Sequence, residues 1–197
     1  MKRIILKDLV ERVIPGVTPR DLKDPTGTPC EIININNLGY GKIDTQSLEQ
    51  CNFSPGKQRG YRIESYALAE GDVIISTRGT NIRAAMVDFP THNRFISQNL
   101  AALRIDRRIL PQMVVIYLNS QQGQHELKLI SREGSCPFVY VRDVLQLEIP
   151  VPSPELQAKI ISYCNTVEDY LSFLKKEVTI TRDIQRHMID SALEVSL

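Results

Sequence analysis

The 197 residues contain no tryptophan and no apolar run near the roughly 20 residues that a membrane-crossing helix requires. A secretory leader is not expected either. Lys7, Asp8, Glu11 and Arg12 fall where a signal peptide would carry its apolar stretch, so a cytoplasmic chain is expected. There is almost no net charge: 24 Lys plus Arg face 23 Asp plus Glu, for a formal +1. That balance, with 42% apolar residues, excludes a basic nucleic-acid tail, an acidic disordered segment and a low-complexity chain. Cysteine is sparse and scattered. Cys30, Cys51, Cys136 and Cys164 form no CxxC pair and have no histidine at ligand spacing, so ordinary thiols and no metal are expected.

Sequence signatures of catalysis are missing as well. There is no GxxxxGK[ST] loop, no GxGxxG after a strand, no GxSxG elbow and no HExxH pair. His92, His125 and His187 stand in unrelated contexts, and the asparagine-proline-proline-aromatic motif of amino methyltransferases is absent. The expected activity is therefore binding, with no enzyme chemistry and no cofactor.

The chain divides near Ile149-Pro150-Val151-Pro152-Ser153-Pro154, where closely spaced prolines disfavour regular structure. Residues 1–152 are expected to form one domain and 153–197 a helical segment. Ser153 as N-cap, Pro154 at the first helical position and Glu155 in the first turn start the helix, and no Gly or Pro follows. About 43 residues at 1.5 Å each make a rod of about 65 Å. Ile160, Cys164, Val167, Leu171, Leu174 and Val178 alternate steps of four and three, the spacing of a coiled-coil seam. After Val178 the stripe shifts to Ile180, Ile184, Met188 and Leu193, which leaves open a bend, a change of partner or packing on the preceding domain.

Residues 1–152 read as α+β with a mixed sheet. Strands are expected at Glu31–Ile35, Asp72–Ser76, Leu100–Ile105 and Val144–Ile149, and helices at Ile4–Val13 and Pro111–Ser120. Turn clusters lie at 36–41, 54–56 and 70–72. Positive charge gathers in the middle: between Cys51 and Leu110, nine basic residues face five acidic ones. Two Gly-containing loops carry much of it, Gly56-Lys57-Gln58-Arg59-Gly60-Tyr61-Arg62 and Thr77-Arg78-Gly79-Thr80-Asn81-Ile82-Arg83. Arg can pair bidentately with guanine and Asn or Gln with adenine, so these loops read either as a DNA surface or as ordinary solvated loops.

Several phrases together resemble the target-recognition domain of type I restriction-modification specificity subunits. Leu6-Lys7-Asp8-Leu9 leads to Pro15-Gly16-Val17-Thr18-Pro19, followed by Thr28 to Leu38. Leu68 to Gly79 is similar to the family's Gly-Asp strand and glycine turn. Gly134, Val144 to Pro152 and Pro154 to Ile160 are similar to its closing strand, proline connector and Gln-x-x-Ile helix start. The resemblance implies a non-catalytic DNA-recognition domain followed by a long helix that docks methyltransferase subunits. Its implied partners are double-stranded DNA, DNA adenine methyltransferase subunits and, where one is present, a restriction/motor subunit. Members carry two recognition domains and two helices, whereas one of each appears here. A half-subunit forming a homodimer through antiparallel helices is therefore expected, reading an interrupted palindrome with half-sites at most about 19 base pairs apart.

Within that reading, Lys57, Arg59 and Arg62 serve phosphate contact. Arg78, Thr80, Asn81 and Arg83 form one candidate base-reading loop, and Asn93, Arg94, Gln98 and Asn99 a second. Gly71, Gly79 and Asp72 are expected to shape turns, and Tyr61 and Tyr66 to pack on sugars or in the fold. Ile160, Val167, Leu171, Leu174 and Val178 are the expected helix seam. Two alternatives stay open: a structural adaptor that dimerises and binds protein, and a small enzyme whose Cys and His residues meet only in the fold.

Overall fold

The structure, a computed structural model, describes residues 2–22, 25–54 and 63–194. Among the described residues the architecture is α+β, with three small sheets, three short α-helices and one long one. The chain separates into two compact units, Met1–Gln157 and Ala158–Leu197.

Four strands form the central antiparallel sheet in the order β2-β8-β5-β6: β2 Val10–Pro15, β5 Val73–Ser76, β6 Ala84–Met86 and β8 Leu100–Ile105. β5 is an uninterrupted VIIS run buried at every position, as expected of a strand covered on both faces. Its register against β8 places Ile74 opposite Ala102 and Ile75 opposite Ala101, so large side chains oppose small ones. A second, mixed sheet has the order β4-β3-β7: β3 Thr28–Ile33 pairs antiparallel with β4 Glu49–Phe53 and parallel with β7 Arg94–Ile96. Ile14, Ile74 and Ala102 of the first sheet share a core with Ile33 and Ile96 of the second. Each fully buried Ile or Leu there contributes roughly 1.5–3 kcal/mol. A neighbouring cluster sets Phe53 edge-on to Tyr66 at 5.3 Å and against Phe95 at 4.6 Å. Tyr66 is therefore a core residue, 4% exposed.

The strand at Leu100–Ile105 and the helix from Pro111 appear where expected, the strand expected at Asp72–Ser76 begins one residue later as β5, and that expected at Glu31–Ile35 is shifted to Thr28–Ile33, with Ile35 opening a 3-10 turn, Ile35–Asn37. The helix is α1, Pro111–Asn119, with Pro at its start. Helix α2, Gln121–Ile130, follows at once, and Ser120 both ends α1 and caps α2 by accepting the Gly123 N–H at 3.1 Å.

Two expectations are corrected. Ile4–Val13 is not a helix: Lys2–Ile5 is strand β1, Leu6–Leu9 is a single 3-10 turn, and Val10 opens β2. Its apolar residues fit helical spacing, but the β-branched Ile4, Ile5, Val10, Val13 and Ile14 suit strands, and residues Glu148–Val151 and β8 supply the ladders. Val144–Ile149 is not one strand. Val141–Val144 forms the one-turn helix α3, and strand β9 covers Glu148–Val151. Pro150 is tolerated because β9 belongs to a two-stranded sheet.

Helix α4 runs unbroken over Pro154–Glu194, 41 residues or about 60 Å. Ser153 Oγ accepts from Leu156 N at 3.4 Å. Gln157, 2% exposed, uses its whole carboxamide: Oε1 accepts from Leu110 N at 2.8 Å and Nε2 donates to Pro152 O at 3.0 Å. Further along, the hydroxyls of Thr166, Thr179 and Thr181 donate to the carbonyls four residues earlier, so these β-branched residues sit inside the helix without a free polar group. Val167, Leu171, Leu174 and Val178 are 37–50% exposed, whereas Ile160 and Cys164 are half-buried.

Candidate nucleic-acid interface

β5 ends at Ser76 and releases the first candidate loop; β7 and β8 flank the second. The two loops meet. Thr77 donates its backbone N–H at 2.8 Å and its hydroxyl at 2.9 Å to the carbonyl of Asn99. The first loop is closed at its base by Ser76, whose Oγ accepts from Arg83 N at 2.9 Å. Between these fixed ends Arg78, Thr80 and Asn81 are exposed. Gly79 turns the loop with φ +114°, a conformation that L side chains rarely adopt.

The second loop is held from behind. A Cβ on Gly16 would lie 2.0 Å from the Ser97 carbonyl, so only glycine permits that approach of the chain after β2. Gln98 is exposed beyond it and Asn99 is half-buried.

The remaining candidate residues divide differently. Arg83 donates to the Leu38 carbonyl at 3.0 Å and stacks over Tyr40 at 5.6 Å, a bracing role. Arg94 pairs with Glu31 at 2.7 Å, donates to Pro90 O and lies over Phe89. Glu31 is consequently held below the usual carboxylate range, first by the Arg94 hydrogen bond and then by that of Gln50. Asn93 takes a left-handed turn, φ +55°, and its carbonyl accepts from Glu31 N. Lys57, Arg59, Arg62 and Tyr61 lie outside the described residues. Asp72 shapes its turn by accepting Ala69 N–H at 2.7 Å, and is gripped bidentately by Arg104, with both contacts at 2.9 Å.

A third segment joins the two loops that sequence reasoning did not include. Val139 N donates to Thr77 O and Gly79 N to Pro137 O, each at 2.9 Å, so residues 137–139 pair with the base of the first loop. The alternation of Phe138, Val139, Tyr140 and Val141 beside Arg142 was the available signal. Two open clefts result. One, about 610 Å³, includes Arg78, Gln98, Phe138 and Tyr140 in its lining. The other, about 600 Å³, lies between Thr80, Asn81 and Ile82 and the α2 residues Gln124 and Lys128. Arg78 and Lys128 are exposed and enter no ion pair among the described residues.

Burial raises the Cys30 thiol to about 11, with the neighbouring Cys51 adding to the shift, so Cys30 is a poor nucleophile. Among the described residues no group of three His, Cys, Asp or Glu is placed to hold a metal, and no helix is long and apolar enough to cross a membrane.

No family model and no curated protein matches the chain in sequence. Solved structures match it in fold. A chain from a study of complex assembly and conformational transition in the type I restriction-modification system superposes with a TM-score of 0.62 at 18% identity, over 89% of this chain and 40% of that one. The HsdS subunit from Thermoanaerobacter tengcongensis gives 0.58 at 18% identity, over 89% and 39%. The type I restriction-modification S subunit from M. genitalium gives 0.57 at 16% identity, over 92% and 42%. The chain thus spans about two fifths of the length of these proteins, and over that length it shares the fold of type I restriction-modification S subunits.

Proposed function

We propose that the chain is a non-catalytic, sequence-specific reader of double-stranded DNA in a type I restriction-modification complex. The observation that carries this reading is the junction of the two candidate loops at Thr77 and Asn99. It brings the loop that carries Arg78, Thr80 and Asn81 against the loop that carries Gln98 and Asn99. Arg78 has the fork that pairs with guanine and Asn81, Gln98 and Asn99 those that pair with adenine in the major groove, each good pair contributing about 1–3 kcal/mol of discrimination, and Thr80 adds a single hydroxyl. Arg83, Arg94 and Asn93 shape the loops that carry them. Lys57, Arg59 and Arg62 supply phosphate contacts.

Residues 1–152 act as the recognition domain and 153–197 as a helical spacer. Cytoplasmic DNA adenine methyltransferase subunits, and a restriction/motor subunit where one is present, supply the chemistry. The stripe through Ile160, Val167, Leu171, Leu174 and Val178 packs against a second copy of the chain. The exposed side chains of Val167, Leu171, Leu174 and Val178 support that pairing, and a symmetric pair reads an interrupted palindrome.

The test is to map modified adenines across the source genome in the parent strain and in one lacking this gene. Loss of one interrupted palindromic motif is the expected result. Loss of an asymmetric motif overturns the symmetric pair and leaves DNA reading intact. Unchanged modification with the methyltransferase expressed overturns DNA reading and favours the protein-binding adaptor.

A further inference from the structure

We infer that Tyr140 and Arg142 form a sugar-phosphate clamp along one wall of the Arg78 and Gln98 cleft, gripping the DNA strand whose bases face those two side chains. This rests on the DNA-reading function proposed above.

The wall is built locally. Arg132 and Phe138 pair as a short hairpin, with Arg132 N donating to Phe138 O at 2.8 Å and Phe138 N to Arg132 O at 3.3 Å. The strand is tied to the first loop by the Val139 to Thr77 and Gly79 to Pro137 bonds. Alternation then decides which side chains face outward: Val139 is 2% exposed, whereas Tyr140 is 44% exposed. Tyr140 is fixed by an edge contact with Phe138, ring centroids 5.1 Å apart at 87°. The Arg142 guanidinium lies over the Tyr140 ring, 4.7 Å from its centroid.

This geometry leaves Arg142 both positioned and available. Its Nε faces Asp143 at 3.4 Å, and its side chain is 75% exposed. Asp143 also lies 4.0 Å from Arg132, which keeps two guanidiniums near one carboxylate. The cleft linings carry Arg78 and Lys128 with Glu133, and next to lining residues in the chain stand Arg132 and Arg142, which share Asp143, a balance of four basic to two acidic groups that favours a polyanion. A flat aromatic beside an oriented guanidinium suits a deoxyribose ring next to its phosphate. Contacts of that kind fix position and carry no sequence information. Arg78 and Gln98, which line the same cleft, retain the reading role.

The complex is isolated from its source through a tag on this full chain. It is titrated with a duplex carrying the motif found by genome mapping and with a scrambled duplex, across salt concentrations. Tyr140→Ala combined with Arg142→Ala is expected to weaken both duplexes alike, on the order of tenfold, and to lower the salt slope by about one. Tyr140→Phe, which keeps the ring, is expected to bind as the parent does. Parental binding by the double variant, or loss of motif preference without loss of scrambled-duplex affinity, overturns the clamp while leaving DNA reading in place. Absence of preference in the parent complex overturns the DNA-reading function itself. A thermal melt within a few degrees of the parent establishes that the double variant is folded; a melt far below it assigns the pair a structural role and also overturns the clamp.

Discussion

Thr77 gives both its backbone N–H and its hydroxyl to the single carbonyl of Asn99, and this double donation locks the loop after β5 to the loop before β8. The contact spans 22 residues of sequence. Thr77→Val keeps the shape and the backbone bond but removes the hydroxyl donor. A loss of about 0.5–1.5 kcal/mol in chemical denaturation is expected, with greater hydrogen exchange in residues 77–83 than in α1. Equal exchange in both segments would show that the loops are not joined through this bond.

Asp72 and Arg104 differ in burial, and the two deletions should differ accordingly. Asp72 is 1% exposed, whereas the Arg104 side chain is 30% exposed and can return to water. Asp72→Ala is expected to cost roughly 2–3 kcal/mol through the lost ion pair and the lost Ala69 N–H contact. Arg104→Ala leaves a buried carboxylate without its counterion and is expected to cost more, roughly 3–5 kcal/mol. Urea denaturation at neutral pH ranks them; the reverse order would refute the burial argument.

The Glu31 and Arg94 pair gives a pH dependence with a definite sign. Arg94 first, and Gln50 second, hold the Glu31 carboxyl below its ordinary value. A depressed carboxyl contributes stability that is fully present above the unfolded value of about 4.3 and is lost as pH falls through the lower folded value. The melting-temperature advantage of the parent over Glu31→Gln should therefore be constant near neutrality and close below about pH 4. An advantage that instead grew on acidification would contradict the pairing.

The α4 stripe predicts self-association. Light scattering on the parent chain should give a mass near twice 22.4 kDa, and Val167→Lys with Leu171→Lys should reduce it to the single-chain value. Both side chains are exposed in the single chain, so the folded first unit should keep its melting temperature. A parent mass of one chain at micromolar concentration would argue against the symmetric pair.

The long helix was legible because everything that starts and sustains it is local: Ser153, Pro154 and forty residues without a breaker. β5 and β8 were equally legible, since VIIS and LAALRI carry the length and apolar content of buried strands. Tertiary contacts decided the amino-terminal residues, whose apolar spacing suits a helix until β9 and β8 offer their edges. They likewise decided which arginines are available. Arg78, Arg83 and Arg94 are alike in sequence context, but only the folded chain supplies Arg83 with Leu38 O and Arg94 with Glu31. The wall at 137–142 was hidden for the same reason. Its aromatic and basic alternation is visible in the sequence, but its place beside Thr77 comes from hydrogen bonds between segments some sixty residues apart, and local composition encodes no such distance.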